Sequence, residues 1–119
     1  MEKFRFLKWK VYLDAKELFL FILQLVRDLP REYRFELGNQ IIRSSLSILL
    51  NIAEGSGKNS DKELNRFIDI SFGSLNETLA AADILKDTKL ITKDEFDKIM
   101  TLVDEISKQL GGFKKTMVH

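Results

Sequence analysis

Apolar residues recur at helical spacing along nearly the whole chain, and they divide it into four stretches. The first carries Val11, Ala15, Leu18, Ile22, Leu25 and Leu29 in steps of four, three, four, three and four, the pattern of one helix face. It predicts a helix over about residues 8–29, closed by Pro30, which biases the residue before it away from helical geometry. A second helix is expected over about 33–54, with Ile41, Ser45, Ile48 and Ile52 in one row and Ile42, Leu46, Leu49 and Ala53 in the next. Gly55 follows as the expected left-handed closing residue. A third helix, about 61–88, opens with Ser60 and Glu63 in capping-box spacing and repeats Leu64, Ile68, Ser71, Leu75, Thr78, Ala82 and Leu85. The fourth, about 93–117, opens with a second capping box, Thr92 and Glu95. Its seam is Phe96, Ile99, Val103, Ile106, Leu110, Phe113 and Met117. No stretch alternates with period two. The pattern predicts a single all-α domain over 1–119, an antiparallel up-and-down four-helix bundle with short connections.

The four helices are not alike. The fourth has a charged outer face with Lys98, Asp104, Glu105 and Lys108, as a solvated helix should. From Asn39 to Ala53 the second has Arg43 as its single charge, and its polar residues Gln40, Ser44, Ser47 and Asn51 align as a seam of small uncharged groups. The first is also apolar beyond its seam, at Phe19, Leu20, Phe21 and Leu23. Two readings are open: a thick core with scattered exposed apolar residues, or a subunit interface across the first two helices. The second is favoured, and a homo-oligomer is expected.

Charge does not override this picture. Nineteen basic residues stand against eighteen acidic ones, a net charge of +1, so any affinity for nucleic acid must come from local asymmetry. Residues 1–34 carry eight basic and five acidic side chains, net +3, and residues 61–90 carry four and six, net −2. The strongest apolar run, Leu18 to Leu23, is far short of the roughly 20 residues a membrane span needs. No secretory signal is recognisable, so a cytoplasmic protein without a membrane association is expected. The absence of cysteine fits a reducing compartment.

Candidate catalytic chemistry is sparse. Cysteine is absent, so thiol nucleophiles and thiolate metal sites are excluded, and the single histidine is His119, the last residue. The inward Glu and Glu-x-x-His sets of di-metal bundles therefore cannot be assembled. Glu63, Asp69, Glu77 and Asp83 share a helix without a pairing pattern and read as a solvated face. Gly55-Ser56-Gly57-Lys58 follows a helix rather than a strand and lacks the spacing of a phosphate loop. No catalytic residue, metal or cofactor is expected, and the chain is not read as an enzyme. Two features stand out. Glu54 lies at a helix end where the dipole disfavours an anion, and a pairing with Lys58 or Arg66 is expected. Gly73-Ser74 interrupts the third helix at a cost of about 1 kcal/mol, which tight helix packing would explain.

The segment from Gln40 to Gly55, QIIRSSLSILLNIAEG, resembles the QIRRA-x-SI-x-NIAEG signature of a bacterial family first noticed in intervening sequences of 23S ribosomal RNA genes. Ile70 to Glu77, ISFGSLNE, is similar to the family's second motif, a helix with Gly-Ser-Leu and a glutamate. Phe6-Leu7 through Val11, Leu29-Pro30 and Glu36-Leu37 match its opening pattern. Two departures occur. Ile42 stands where a second basic residue is frequent, and Leu49 stands where proline or a small residue is frequent. The resemblance implies a four-helix bundle that assembles into a ring, with a pentamer as the expected size. The family includes an accessory protein of diversity-generating retroelements that works with a reverse transcriptase and nucleic acid. RNA, DNA or such a partner protein are therefore implied as candidate partners.

Gln40, Ser44, Ser47, Asn51, Glu54, Gly55, Gly73, Ser74 and Glu77 are the candidate motif and oligomer-interface residues. Lys3, Arg5, Lys8 and Lys10 at the amino terminus, with Arg43, Lys58 and Arg66 near the signature, are the candidate nucleic-acid contacts. Phe4, Phe6 and Trp9 lie among them and are more in keeping with an apolar lead-in to the bundle than with base stacking. Two functions follow: a nucleic-acid-binding scaffold, or a structural and protein-interaction module with no nucleic-acid role.

Overall fold

A computed structural model describes residues 3–117. Four long helices account for most of it: α1 (Lys10–Arg27), α2 (Asn39–Ser56), α3 (Asp61–Asp87) and α4 (Lys93–Thr116). A 3-10 turn, Arg5–Lys8, precedes α1, and α2 is entered through one α-turn, Arg31–Tyr33, and a π-turn, Arg34–Gly38. The molecule measures 45 × 22 × 20 Å, the shape of helices laid side by side.

Helix contacts follow chain order, α1 to α2 to α3 to α4, and close from α4 back to α1. Each contact runs in opposite chain directions. Ser47 meets Ser74 while the earlier Ser44 meets the later Thr78. Lys86 covers Phe96, and Asp69 pairs with Lys114. Phe21 lies under Lys98, and Trp9 stacks against Phe113. The bundle is all-α and up-and-down.

The core is built from the seams read off the sequence. Val11, Ala15, Leu18, Ile22, Leu25 and Leu29 are all buried, as are Ile41, Ile48 and Ile52 from α2. Ile68, Leu75, Ala82 and Leu85 of α3 join Ile99, Val103, Ile106 and Leu110 of α4. In the second row of α2 only Leu49 is buried; Ile42, Leu46 and Ala53 are half-buried.

The ends hold most of the differences from expectation. Pro30 does not itself close the first helix: α1 stops at Arg27, and Pro30 caps the start of the turn Arg31–Tyr33. The π-turn at Arg34–Gly38 has no signal in the apolar pattern. Its reason is packing: a Cβ on the buried Gly38 would lie 2.7 Å from Val26 Cγ1, so this glycine lets the entry to α2 cross the end of α1. Thr92 and Glu95 form the complete capping box. Ser60 accepts from the Glu63 amide, but the Glu63 carboxylate turns to Arg66 instead of returning to the cap. The end of α3 is closed by Lys89 in the left-handed region, φ 62°.

Gly55 is not a left-handed cap. No glycine among the described residues has a positive φ, and the helix runs on through Ser56. Gly55 is buried, and a Cβ there would meet Phe67 Cβ at 2.9 Å and Leu64 Cδ1 at 3.0 Å. It is a point of close approach between α2 and α3. Gly73 is the reverse: a Cβ there would meet nothing within 4 Å, so packing within the chain does not account for it.

Opposite outcomes follow for one substitution at these two glycines. Gly55→Ala gains about 1 kcal/mol of helix propensity but must displace Phe67, and overpacking costs about 1–3 kcal/mol, so net destabilisation is expected. Gly73→Ala meets no neighbour and is expected to stabilise by about 0.5–1 kcal/mol. Urea unfolding of both variants checks the pair, and a Gly55→Ala protein as stable as its parent would contradict the close approach.

Candidate functional site

Two sets of residues carry the functional question, the polar seam of the signature helix and the basic residues around the amino terminus. The structure places them differently.

The seam lies between α2 and α3. Ser47 Oγ is 2.8 Å from Ser74 Oγ. The Thr78 hydroxyl has one proton to donate, to Ser44 Oγ at 2.9 Å or to the Ser74 carbonyl at 2.8 Å. Ser71 donates across the interface to the Ile48 carbonyl at 3.0 Å. Asn51 Nδ2 reaches back to the carbonyl and hydroxyl of Ser47, and Gln40 donates to Glu77 at the rim, 2.7 Å. Ser44, Ser45, Ser71, Ser74 and Thr78 are all buried. Small side chains at these positions let two backbones come close, and each hydroxyl then needs a partner, because an unpaired buried polar group costs about 1–3 kcal/mol. Of the candidate interface residues, Gln40, Ser44, Ser47, Gly55, Ser74 and Glu77 thus serve the contact of α2 with α3 inside one chain, Gln40 and Glu77 at its exposed rim, while Asn51 bonds back to Ser47 within α2. Ser44, Gly55 and Ser74 are buried there and have no surface to offer another subunit. Glu54 and Gly73 remain exposed.

With the seam turned inward, the other side of α2 faces solvent. It presents Ile42, Leu46, Leu50 and Ala53, with Arg43 and Glu54 as its charges, and Leu50 is 53% exposed. Leu13 and Leu20 of α1 are exposed as well, Leu20 at 54%, with Tyr12, Phe19 and Leu23 half-buried.

The basic candidates do not form one field. Lys10 binds Asp14 at 2.6 Å and Glu105 at 3.3 Å. The hydrogen bond to Asp14, reinforced by Glu105, raises its ammonium pKa above the ordinary lysine value. That contribution is present at neutral pH and fades only as alkali titrates the amine, so near pH 7 Lys10 is an occupied cation on the α1–α4 side. Lys58 pairs with Glu54 at 3.1 Å, the pairing expected for that carboxylate, and Arg66 is 3.7 Å from Glu63. Lys58 and Arg66 also flank the Phe67 ring, at 5.2 and 5.3 Å. Arg5 donates to the Ser56 carbonyl at 3.3 Å and lies 5.4 Å over Trp9, a cation at the carbonyl end of α2. Arg43 is exposed on the outer face of α2, and Lys3 and Lys8 are exposed beside the first turn. Lys3, Arg5 and Lys58 do share one feature: with Phe4, Phe6, Leu50 and Ala53 they line an open cleft of about 950 Å³ between the amino-terminal turn and the α2–α3 loop. Glu54 and Asp61 line it too.

The sequence did not mark Ser71 or Thr78 as seam partners, since both fall on the apolar repeat of α3. A polar residue at a core position was the available signal. Among the described residues no helix is long and apolar enough to cross a membrane, and no group of His, Cys, Asp and Glu is arranged to hold a metal ion.

The seam predicts a measurable coupling. Ser44→Ala and Thr78→Val each remove one partner of a buried pair and are expected to cost about 1–2 kcal/mol, whereas the double variant should cost less than their sum. A thermodynamic cycle from chemical denaturation reads this directly, and strict additivity would show that the two hydroxyls do not interact.

Comparison with known proteins agrees with this architecture. No curated protein matches the chain significantly. Among solved structures, a protein of unknown function from the S23 ribosomal protein family of Bacteroides thetaiotaomicron superposes with a TM-score of 0.82 at 29% identity, over 89% of this chain and 99% of that one. The family model described as 23S rRNA-intervening sequence protein matches residues 8–112. That span takes in all of α2 and α3 with the hydroxyl seam between them: the chain belongs to the 23S rRNA-intervening sequence protein family.

Proposed function

We propose that the protein is a non-enzymatic subunit of a homo-oligomeric ring, assembled through the outer faces of α1 and α2. One observation carries this reading. The buried part of the polar seam of α2 is committed to α3, and the side turned away from it carries the exposed Leu50 among the half-buried Ile42, Leu46 and Ala53, with Arg43 and Glu54 beside them. Contiguous apolar surface of this kind marks contact sites, and the charged outer face of α4 shows what a solvated helix of this bundle looks like. A closed ring joins two different surfaces of each subunit head to tail and leaves no unsatisfied copy. Five subunits is the size that the family resemblance supports, and the cytoplasm is the compartment expected for such an assembly.

Light scattering is expected to give a mass severalfold above the 13.8 kDa chain, and Leu50→Glu is expected to return it to a monomer with an unchanged helical circular dichroism spectrum. A wild-type protein that scatters as a monomer at all accessible concentrations would overturn the proposal.

A second reading rests on the cleft. Lys3, Arg5 and Lys58 around the exposed Phe4 ring are the cation and aromatic types that hold single-stranded nucleic acid. The ion pairs of Lys10, Lys58 and Arg66 weigh against it, since the carboxylates beside these cations repel a phosphate brought to them. Ring assembly would repeat the patch and raise local charge beyond the +1 of one chain. Gel shifts with structured RNA and single-stranded DNA at low salt, where phosphate contacts are strongest, test it. A shift that weakens on Lys3→Ala with Lys58→Ala supports nucleic-acid binding, and no shift at low salt leaves the assembly alone.

A further inference from the structure

We infer that the outer stripe of α3, centred on Gly73, is the second surface of the ring contact, and that it receives the outer row of α2 from a second copy of the chain. The inference rests on the assembly reading above and deepens it. A head-to-tail contact needs two different surfaces, and the outer faces of α1 and α2 supply only one.

Ile70, Gly73, Glu77, Ala80 and Ile84 follow one another in steps of three, four, three and four, the spacing of a seam along which one helix meets another. All five are exposed, Ile70 at 41% and Ile84 at 50%. At the centre of the stripe a Cβ on Gly73 would meet nothing within 4 Å, so the glycine costs helix propensity without serving a contact inside the chain. The outer side of α4 at comparable spacing, Asp97, Thr101, Asp104 and Lys108, is polar throughout. Helix α3 thus carries two seams. The buried one makes the bundle, and the bundle leaves the other unused.

The occupant is a second copy because the two surfaces match in charge and in shape. Arg43, Leu46, Leu50 and Ala53 run along the outside of α2 in steps of three, four and three. Among the described residues Arg43 has no carboxylate partner, and Glu77 accepts from Gln40 at 2.7 Å but has no cation beside it. An uncompensated cation on one surface therefore faces an uncompensated carboxylate on the other, an arrangement that fixes register between partners. Cyclic symmetry about an axis along the bundle keeps every copy pointing the same way, so α2 of one copy runs antiparallel to α3 of the next. Setting Arg43 of one copy against Glu77 of the next brings Leu46 over Gly73 and Leu50 against Ile70. A large side chain that enters where the facing one is missing is how packed helices interdigitate. Gly73, which no packing inside the chain explains, is the hole for that knob.

Gly73→Leu tests the hole. It meets no neighbour near the backbone and improves helix propensity, so the dilute protein should unfold at a urea concentration no lower than its parent's. Assembly should move the other way, with the concentration at half-dissociation rising about tenfold or more by light scattering. Arg43→Glu is expected to raise that concentration about threefold to tenfold, and adding Glu77→Arg to restore it. A mixture then tests the two surfaces together. Leu50→Glu keeps the α3 stripe intact, and Gly73→Leu keeps the α2 row intact. At concentrations where each alone is a monomer, equal parts of the two should form a heterodimer through the one sound pair of surfaces. The α3 stripe is overturned if Gly73→Leu assembles as the wild type does, if the mixture stays monomeric, or if the double charge reversal assembles no better than Arg43→Glu alone. In each of those cases a monomeric Leu50→Glu leaves the α2 interface standing, whereas a Leu50→Glu protein that assembles normally overturns both.

Discussion

The packing of α2 against α3 is the constraint on which the rest of the molecule depends. Gly55 marks a close point, where even a methyl group on one helix would collide with the Cβ of Phe67 on the other. Serine and threonine continue the contact along the helices. An approach that close cannot be made by leucine and isoleucine, and it cannot be made by alanine alone without losing register. Hydroxyl pairs such as Ser47 with Ser74 and Ser44 with Thr78 have donors and acceptors that match in one alignment. A slip by one turn would leave several of them buried and unpaired. Each bond adds little net stability, but breaking one partner of a buried pair is expensive. The seam therefore contributes mainly by excluding alternatives.

That choice fixes the character of the opposite face. A helix in a bundle touches two neighbours and shows water a third side. In α2 the small polar residues are committed to α3, and Ile41, Ser45, Ile48 and Ile52 to the core. What remains is the row with Ile42, Leu46, Leu50 and Ala53. In α4 the corresponding outer side holds Asp104, Glu105 and Lys108, with Lys108 paired to Asp104 at 3.1 Å. The two helices share a seam pattern and differ in what they show to solvent. The difference is a property of the sequence, not of the fold, since the same four-helix geometry accommodates both.

Much of this was legible before any coordinates. The seams of all four helices, the break at Pro30 and the cap at Thr92 follow from periodicity and local chemistry, which act within a turn or two of the residue concerned. What stayed hidden depends on residues far apart in the chain. Gly55 and Gly73 look equivalent in sequence, yet one meets Phe67 and the other meets nothing, and only the rotation of each glycine about its helix separates them. The π-turn before α2 exists because Gly38 crosses Val26, a contact between segments that no local pattern reports. The surroundings of the basic candidates were only partly legible for a related reason. The i, i+4 pairs of Lys10 with Asp14 and Lys58 with Glu54 could be read from spacing, but the second acceptor of Lys10, Glu105, and the use of Arg5 on Ser56 could not.

These pairings change how charge should be weighed in this molecule. A lysine counted in a sequence is a potential phosphate contact only if its ammonium is not already satisfied. At Lys10, Lys58 and Arg66 a neighbouring carboxylate already offsets the positive charge, so an incoming phosphate meets a weaker field than the sequence count suggests. Burial of the apolar row meets no such offset, since what leaves it is water. Apolar burial is thus the association that the single chain favours, and in the ring we propose an electrostatic role would come from charge that symmetry accumulates.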